Sequence, residues 1–296
     1  MILSEHLVGC EEDLKKVILK IGDVGKKISQ GFASRQGVSD TSNVYGEKQL
    51  TMDKWADELL IHELGHSGLV KSLASEEQPD VLSFDSPSNI GVTIDPLDGS
   101  SLIGVNLAVG TIVGFYRGDV LSPGREMVGA MYILYGPLTT LTYCVGKGVH
   151  EFVLNEKENY ILQEENIRIP DGKIYAPGAL RKDWMPVHTK YIEKLESDGY
   201  KLRYSGSFVA DVHQILHKGG VFTYPAYKGR EQGKLRLLFE ANPMGYLVTQ
   251  AGGAASDGVR DILTVKPESV SRRIPIYIGG KLEIDNIIEL NRSENN

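Results

Sequence analysis

The stretch that decides the fold is Ile94-Asp95-Pro96-Leu97-Asp98-Gly99-Ser100-Ser101. It places two carboxylates three residues apart, beside a proline that fixes φ and a glycine that frees it. Such a turn can direct Asp95, Asp98 and the Leu97 carbonyl at one point while the Ser100 and Ser101 amides face another. Hard cations and a phosphate group would then share one pocket. A D-P-L-D segment standing alone is typical of an ordinary Asx or Pro-Asp-Gly turn, so the rest of the chain has to decide between the two interpretations.

The residues on either side predict a mixed fold. Spacing of apolar residues by three and four predicts helices at 13–28 and roughly 52–64, separated by a polar loop at 31–46. Runs rich in Val, Ile, Tyr and Thr predict strands at 92–94, 107–116, 128–135 and 141–145. After a polar seam at 155–173, helices are predicted at 189–198, 209–217, 242–251 and 284–291, alternating with short strands. We therefore expect a layered α/β or α+β protein with an N-terminal half at 1–172 and a C-terminal half at 173–296.

Composition and charge limit the class of partner. The chain has 296 residues, of which 41% are hydrophobic and 24% charged, which excludes a disordered or coiled-coil chain. A net charge of −7 gives no broad positive field, so we expect no nucleic acid partner, and a small anionic substrate would need cations or local Arg and Lys. Two separate cysteines, Cys10 and Cys144, suit free thiols in a reducing cytosol. With no secretory signal and no membrane helix expected, the sequence predicts a cytoplasmic protein.

Three further segments carry chemistry-bearing residues, although each is ordinary when taken alone. Ser75-Glu76-Glu77 is an acidic pair before a proline-containing loop, and Gly233–Glu240 ends a strand-like run with a carboxylate that enters an apolar helix. Cationic and phenolic donors come from Leu202-Arg203-Tyr204-Ser205-Gly206-Ser207 and from Tyr224-Pro225-Ala226.

Together with the D-P-L-D stretch, these segments have the order and approximate spacing found in class I fructose-1,6-bisphosphatases and the related sedoheptulose-1,7-bisphosphatases. The chain resembles that family over nearly its whole length, including Gln250-Ala251-Gly252-Gly253 at the end of the late helix. Inositol monophosphatases of the wider superfamily typically have a Trp-Asp pair before that helix, whereas this chain has Phe239-Glu240. The resemblance implies the sugar-phosphatase fold of the lithium-sensitive phosphatase superfamily, layered α-β-α-β-α.

The resemblance also implies an activity, the Mg²⁺-dependent hydrolysis of the 1-phosphate of fructose 1,6-bisphosphate in gluconeogenesis or the Calvin cycle. Two or three Mg²⁺ ions per subunit, with Mn²⁺ as a substitute, would have as their ligands Glu76, Asp95, the Leu97 carbonyl, Asp98 and Glu240. Asp53 and Glu77 match the pair that orients and deprotonates the attacking water. Glu47, at the end of the predicted loop, matches an acidic residue that joins the metal site on closure.

Substrate contacts follow from the same resemblance. The 1-phosphate would be held by the segment that comprises Asp98, Gly99, Ser100 and Ser101. The distal phosphate would be held by Arg203, Tyr204, Tyr224 and Lys234. Because Arg203 matches a residue that reaches in from a neighbouring subunit, the resemblance implies a homo-oligomer, either a dimer or a tetramer.

The chain departs from the fructose enzymes at three places. Leu102-Ile103-Gly104 stands where they usually have Asn-Ile-Asp, which removes two polar groups near the reacting phosphate and leaves the rate and the metal geometry open. The segment 174–181 looks more like sedoheptulose bisphosphatases, so that activity, or a bifunctional enzyme, stays an alternative. Asn89-Ile90 replaces a Lys-Tyr pair of AMP-inhibited enzymes, although Arg117 matches another nucleotide contact. We expect weak or absent AMP inhibition.

Two interpretations from other classes compete with a phosphatase. His62-Glu63-Leu64-Gly65-His66 fits the H-E-x-x-H motif of zinc proteases, but Gly65 and Gly68 weaken that helix and no third histidine follows at the metzincin spacing. A non-catalytic sugar-phosphate sensor would typically have lost one of the five acids of the site. All five are present, so only Leu102 and Gly104 favour a sensor.

Overall fold

The computed structural model of the protein describes residues 1–34, 38–42 and 48–294. Within these residues the helices are α1 (Leu3–His6), α2 (Glu12–Gly31), α3 (Thr51–Gly65), α4 (Pro186–Ser197), α5 (Phe208–Lys218), α6 (Asn242–Gln250) and α7 (Lys281–Glu294). The strands are β1 (Val38–Ser42), β2 (Lys48–Leu50), β3 (Ser72–Ser75), β4 (Leu82–Ser83), β5 (Ile90–Asp98), β6 (Val109–Arg117), β7 (Met127–Tyr135), β8 (Thr139–Val145), β9 (His150–Leu154), β10 (Tyr160–Glu164), β11 (Ile174–Pro177), β12 (Lys201–Leu202), β13 (Val221–Tyr224), β14 (Leu235–Arg236), β15 (Ala254–Ser256), β16 (Arg273–Ile274) and β17 (Ile276–Gly279). A 3-10 helix at Ser100–Val105 and a π-helical turn at Leu237–Ala241 bear on the site described below.

The central sheet has eight strands in the order β10-β9-β8-β7-β6-β5-β3-β4. Its neighbouring strands are antiparallel except for β3 and β5, which run parallel. Both faces of the sheet are covered, so its long strands are apolar at consecutive positions rather than at alternate ones. In β6, for example, Val113 and Phe115 pack against the N-terminal helices, whereas Ile112 and Tyr116 pack on the opposite face.

The remaining elements stack on this sheet in layers. Helices α1, α2 and α3 cover one face, and α5 and α6 cover the other. A second sheet, in the order β12-β11-β13-β17-β15, lies beyond α5 and α6, and its outer face is covered by α4 and α7. The predicted α-β-α-β-α layering is therefore confirmed. None of the helices in the described part of the chain is long and apolar enough to cross a membrane.

Most elements predicted from periodicity are present. The six apolar residues at spacings of three and four in α2 are all buried, as predicted: Leu14, Val17, Ile18, Ile21, Val24 and Ile28. The predicted helix at 52–64 is α3, and the four predicted central strands are β5 to β8. The four predicted C-terminal helices correspond to α4, α5, α6 and α7.

The predicted loop is wrong in part, and the segment predicted as a seam also carries a strand. The predicted loop at 31–46 contains strand β1, which pairs with β2, while residues 35–37 and 43–47, Glu47 among them, lie outside the described residues. The predicted seam at 155–173 contains β10, the edge strand of the central sheet. A strand at the edge of a sheet can leave many of its side chains in water. In β10 Tyr160 is buried whereas Gln163 and Glu164 are exposed, which explains the polar composition of the segment.

Gly110 connects the fold to the site, because its missing side chain lets α5 approach β6. A Cβ at this position would lie 2.5 Å from the Ile133 carbonyl oxygen and 2.9 Å from Val209 Cγ1. We predict that Gly110→Ala lowers the free energy of unfolding by about 1–3 kcal/mol, the usual cost of overpacking, as measured by denaturant unfolding. Gly104→Ala is the matched control, since a Cβ there meets nothing within 4 Å, and it should leave stability unchanged. Equal effects of the two substitutions would contradict the prediction.

Candidate active site

The D-P-L-D segment continues strand β5 instead of forming the predicted turn. Asp95 pairs with Ile112 and Asp98 with Gly110, so three steps along β5 face two along β6 and the strand bulges. Pro96 has no N–H to donate to a sheet and therefore suits the bulge, where its carbonyl accepts a hydrogen bond from Thr111 Oγ1 at 2.8 Å. The chain turns only at Gly99, whose φ is 77°. The bulge re-aims both aspartates without breaking the strand.

Helix α5 holds the second aspartate of this segment. Asp98 Oδ2 accepts hydrogen bonds from Ser207 Oγ and from the Val209 backbone N–H, each at 2.8 Å. Both donors belong to the N-terminal end of α5, where backbone N–H groups favour a carboxylate. Gly99 permits this approach, because a Cβ there would lie 2.6 Å from Ser207 Cβ.

The acidic pair lies beside the aspartates because β3 and β5 are parallel neighbours. The Glu76 N–H donates to the Ile94 carbonyl at 3.0 Å, directly after β3 ends. The following turn is held by buried Asp57, which accepts hydrogen bonds from Ser75 Oγ at 2.5 Å and Gln78 Nε2 at 2.6 Å. Burial raises the pKa of Asp57 above its ordinary value. Glu76 and Glu77 are thus positioned by a strand end and a hydrogen-bonded turn.

The last carboxylate comes from the π-helical turn that leads into α6. Glu240 Oε2 accepts a hydrogen bond from the Arg236 backbone N–H at 2.5 Å. The Arg236 side chain, only 2% exposed, donates from Nε to Glu76 Oε1 at 3.2 Å. The turn therefore brings a carboxylate and a buried cation to the end of β5.

These elements gather three buried carboxylates, whose oxygens on Asp95, Asp98 and Glu240 lie within 4.8 Å of one another. Burial, together with the neighbouring carboxylates, raises the pKa values of Asp95 and Glu240 well above their ordinary range. Burial also raises the pKa of Asp98 to about 6, although its hydrogen bonds from Val209 and Ser207 oppose the rise. Crowded, buried oxygen donors of this kind fit a hard divalent cation, which would remove the repulsion between them.

A cavity of about 310 Å³ opens over the carboxylates. It brings together thirteen of the residues predicted for the site: Asp53, Glu76, Glu77, Asp95, Leu97, Asp98, Gly99, Ser100, Ser101, Tyr204, Tyr224, Lys234 and Glu240. Desolvation of the hydroxyl raises the pKa of Tyr204 to about 12, although the side chain as a whole is exposed, so this hydroxyl remains a hydrogen-bond donor at neutral pH. Two predicted residues are not among those that line the cavity. Arg203 is exposed beside it, and Glu47 lies outside the described residues.

The structure adds residues for which the sequence predicts no role in the site. Arg273, on β16, lines the cavity near Lys234, to whose carbonyl its guanidinium donates a hydrogen bond. Arg236 and Ser207 support the carboxylates from within the segments 233–240 and 202–207. Arg273 could have been found only from the basic pair before the apolar run 274–278. Leu102 and Gly104, in the 3-10 helix after Gly99, do not line the cavity.

The H-E-x-x-H motif does not form a metal site. His62 and Glu63 lie in α3, where hydrogen bonds from Lys20 and Lys27 to the Glu63 carboxylate lower its pKa to about 2. The His66 ring bonds to the His62 carbonyl, with 2.8 Å between Nδ1 and the oxygen. Glu63 is thus the centre of a surface ion pair, with no role as a base beside a zinc ion.

Comparisons with known proteins agree with this geometry. The family models described as fructose-1-6-bisphosphatase, N-terminal domain and C-terminal domain, match residues 6–165 and 169–292. A curated relative from Methanocorpusculum labreanum, named fructose-1,6-bisphosphatase class 1, is 51% identical over 94% of this chain and 88% of its own length. One of the same name from Trichlorobacter lovleyi is 53% identical over 92% and 88%. The crystal structure of Leishmania major fructose-1,6-bisphosphatase in holo form superposes with a TM-score of 0.93 at 30% identity, covering 99% of both chains.

The crowding of carboxylates predicts how stability depends on pH in the absence of divalent cations. Because the pKa of Asp98 is about 6 in the folded chain and near its ordinary value of 3.8 in the unfolded chain, the folded state binds more protons between these two pH values. Stability should therefore fall as pH rises through this window. Glu240→Gln removes one of the charges, so in EDTA at pH 7.5 we expect its unfolding midpoint to exceed that of the wild type by a few degrees.

Glu63→Gln is the control for this experiment, because the same chemical change there removes an ion-paired surface carboxylate. Since the pKa of Glu63 is lowered in the folded chain, this substitution should leave the midpoint unchanged or lower it. Thermal unfolding followed by circular dichroism measures both variants. A Glu240→Gln variant less stable than the wild type in EDTA would contradict the prediction.

Proposed function

The chain belongs to the fructose-1,6-bisphosphatase family, and we propose that it hydrolyses the 1-phosphate of fructose 1,6-bisphosphate, giving fructose 6-phosphate and phosphate. The family assignment rests on the matches at 6–165 and 169–292 and on curated relatives at about half identity. The observation that carries the proposal is the cavity that joins three buried carboxylates to Lys234, Arg273 and two tyrosines. One cavity thus combines groups suited to cations with groups suited to an anionic sugar phosphate.

We assign the metal ligands to Glu76, Asp95, the Leu97 carbonyl, Asp98 and Glu240. Oxygen donors alone favour Mg²⁺, with Mn²⁺ as a substitute, and we propose two or three ions per subunit. When bound, these ions supply charge stabilisation to the phosphoryl oxygens in a loose transition state. Arg236 contributes a permanent positive charge beside Glu76, 3.2 Å from its carboxylate oxygen.

Asp53 and Glu77 are proposed to orient the attacking water and accept its proton. Both line the cavity beside the carboxylate cluster, and Asp53 is buried near the start of α3. The turn held by Asp57 fixes the backbone of Glu77, whose N–H donates to Ser75 Oγ at 3.3 Å. Glu47 is proposed to join these groups when the segment that carries it closes over the site. General base catalysis by such a pair is worth about 10²–10⁴-fold in rate.

We propose that the two phosphates of the substrate bind in different parts of the cavity, one to backbone N–H groups and the other to side chains. The backbone N–H groups of Ser100 and Ser101, in the 3-10 helix after Gly99, would donate to the 1-phosphate. Tyr204, Tyr224 and Lys234 would hold the distal phosphate, and we add Arg273 to this set. The ammonium of Lys234 lies 5.4 Å from the centre of the Tyr224 ring, so the two side chains already share one corner.

The segment 174–181 shapes the distal corner and bears on substrate length. A Cβ at Gly178 would lie 2.2 Å from the Tyr224 ring, so the ring needs a glycine beneath it. The indole N–H of Trp184 holds the Gly178 carbonyl at 2.9 Å. The corner therefore has a fixed shape, and it lies in the segment that resembles sedoheptulose bisphosphatases. For this reason we propose sedoheptulose 1,7-bisphosphate as a second substrate to test.

Assembly and location belong to the same proposal. Arg203 is exposed and does not line the cavity of its own chain. This is expected of a side chain that contributes to the site of a neighbouring subunit in a dimer or tetramer. We place the protein in the cytoplasm, in keeping with the free thiols of Cys10 and Cys144. The division into halves at 1–172 and 173–296 is also kept as a proposal. Its N-terminal half would supply most of the metal ligands and its C-terminal half the distal phosphate site.

Phosphate release is the first test of this function. Fructose 1,6-bisphosphate, sedoheptulose 1,7-bisphosphate and inositol 1-phosphate would be assayed in parallel at fixed Mg²⁺, with EDTA as the control. We expect turnover of fructose 1,6-bisphosphate that EDTA abolishes, and the kcat/KM ratio of the two bisphosphates measures the preference. Failure to hydrolyse either bisphosphate would sink the proposal and favour a sugar-phosphate sensor.

Substitutions of the proposed catalytic groups sharpen this test. Glu77→Gln and Asp98→Ala should each lower kcat by at least ~100-fold, the scale of losing a general base or a metal ligand. Glu63→Gln, the same change on a surface carboxylate, should leave kcat unchanged. Near wild-type turnover in either of the first two variants would exclude the assigned roles.

Regulation by AMP is expected to be weak or absent. The guanidinium of Arg117, which matches a nucleotide contact, is already bound by the carboxylates of Glu11 and Asp13 and, at 2.6 Å, by Asn89 Oδ1. The hydrogen bond from Arg117 lowers the pKa of Asp13, so this carboxylate stays ionised and in place. We predict that micromolar AMP leaves phosphate release unchanged in an inhibitor titration. Half-inhibition in the micromolar range would refute this.

A further inference from the structure

A second cluster of ionisable side chains lies near the edge of the central sheet, among residues that do not line the catalytic cavity. Helix α5 carries His213 and His217 one turn apart, and β9 carries buried Glu151 opposite them. Both imidazoles approach the same carboxylate oxygen. Glu151 Oε2 lies 3.0 Å from His217 Nε2 and 3.6 Å from His213 Nδ1.

Two of the three ligand-to-ligand distances are close to those of a four-coordinate metal ion. With metal–ligand bonds of 2.0–2.1 Å, two ligands of a tetrahedral site lie about 3.3–3.4 Å apart. The two distances to Glu151 Oε2, 3.0 and 3.6 Å, fall on either side of this value. The ligand atoms of all three residues lie within 4.8 Å of one another. A small inward adjustment of side chains would complete such a site.

The surroundings of His213 explain why a cation is favoured there. Burial lowers the pKa of His213 to about 4, so the ring is neutral at physiological pH. The Tyr132 hydroxyl oxygen lies 2.8 Å from His213 Nδ1. Nδ1 has a single lone pair, so a cation bound there takes the place of the hydrogen bond from Tyr132. In exchange the cation gains the buried carboxylate of Glu151, whose Oε2 lies 3.6 Å from Nδ1.

The outer partners of the cluster are those that metal-bound histidines usually have. A ligating imidazole typically uses its second nitrogen to donate to a carboxylate. His217 has Glu151 at Nε2, and its Nδ1 lies 3.5 Å from Glu164 Oε2 on β10. Thr142 Oγ1, 3.3 Å from Glu151 Oε2, orients the shared carboxylate. The cluster therefore has both an inner set of donors and groups that orient them.

We propose that Glu151, His213 and His217 form a Zn²⁺ site that fastens α5 to strand β9, with water in the fourth position. Two imidazoles and one carboxylate favour Zn²⁺ over the Mg²⁺ proposed for the all-oxygen catalytic cluster. The site would act on a helix whose first turn holds Asp98 through Ser207 and Val209. Zinc is thus bound as a clamp and takes no part in phosphate hydrolysis.

Metal binding by the purified protein in saturating Mg²⁺ tests the proposal. Co²⁺ serves as a spectroscopic probe, because a four-coordinate nitrogen and oxygen site gives strong visible absorption whereas an all-oxygen octahedral site gives little. We expect the wild type to show this absorption and to retain one more equivalent of Zn²⁺ after gel filtration than His213→Gln/His217→Gln. Zn²⁺ should also raise the unfolding midpoint of the wild type by several degrees and that of the double variant by less.

The pair His62 and His66 provides the matched control. These histidines are also four residues apart, with His62 on α3 and His66 directly after its end, but the neighbouring Glu63 is held by Lys20 and Lys27. His62→Gln/His66→Gln should keep the Co²⁺ spectrum and the extra equivalent of Zn²⁺. Any Zn²⁺ bound by the separate group His6, His150 and Glu165 is the same in the wild type and in all of these variants. It therefore cancels when the bound equivalents of the wild type and a variant are compared.

Two results would overturn the proposal. A wild type without the Co²⁺ absorption and without the extra Zn²⁺ would mean that Glu151 and the histidines form a hydrogen-bonded cluster only. A double variant that keeps both signals would place the metal elsewhere. Retained phosphate release and an unchanged circular dichroism spectrum show that the variants are folded. The single variant Glu151→Gln, which keeps the shape of the buried side chain, repeats the test if the double variant does not fold.

Discussion

The structure depends on holding three carboxylates together out of water. Asp95, Asp98 and Glu240 repel one another, so the chain has to fix each of them by other means. Each accepts a hydrogen bond from a backbone N–H, donated by Leu97 at 3.0 Å, Val209 at 2.8 Å and Arg236 at 2.5 Å, respectively. Backbone donors cannot rotate away. The position of the carboxylates is therefore set by a strand bulge, a helix N-terminus and a π-helical turn.

The layered architecture makes these three supports meet. Strand β5 is an interior strand of the central sheet, α5 lies between the two sheets, and the π-helical turn leads into α6 in the same layer. Arg236 on β14 is buried, and its guanidinium donates a hydrogen bond to Glu76, directly after β3. This fixed cation offsets part of the repulsion on one side of the cluster. The fold thus tolerates the concentration of negative charge on which binding of cations depends.

Much of this could be predicted from the sequence, because the relevant signals are local. The periodicity of α2 and the apolar runs of β5 to β8 predict these elements correctly. The motif residues predicted to form the carboxylate cluster also lie together in the structure. Other features depend on tertiary contacts that local patterns do not contain. The D-P-L-D segment has the composition of a turn, yet pairing with β6 keeps it in a strand. Strand β10 is not predicted because its exposed position at the sheet edge allows a polar sequence. Arg273 lies at the cavity because β16 pairs with β14, which the sequence does not indicate.

The distance along the chain between the supports of the cluster has a consequence for biosynthesis. A ribosome delivers β5 with Asp95 and Asp98 long before it delivers α5 and the turn that carries Glu240. Until then α1, α2 and α3 can cover one face of the central sheet, while the opposite face, with Ile112, Tyr116 and Tyr132, has nothing to pack against. A nascent chain of this protein therefore passes through a stage with a broad apolar sheet face open to solvent. Such stages favour aggregation and recruitment of chaperones, so the second half of the chain completes the core as well as the site.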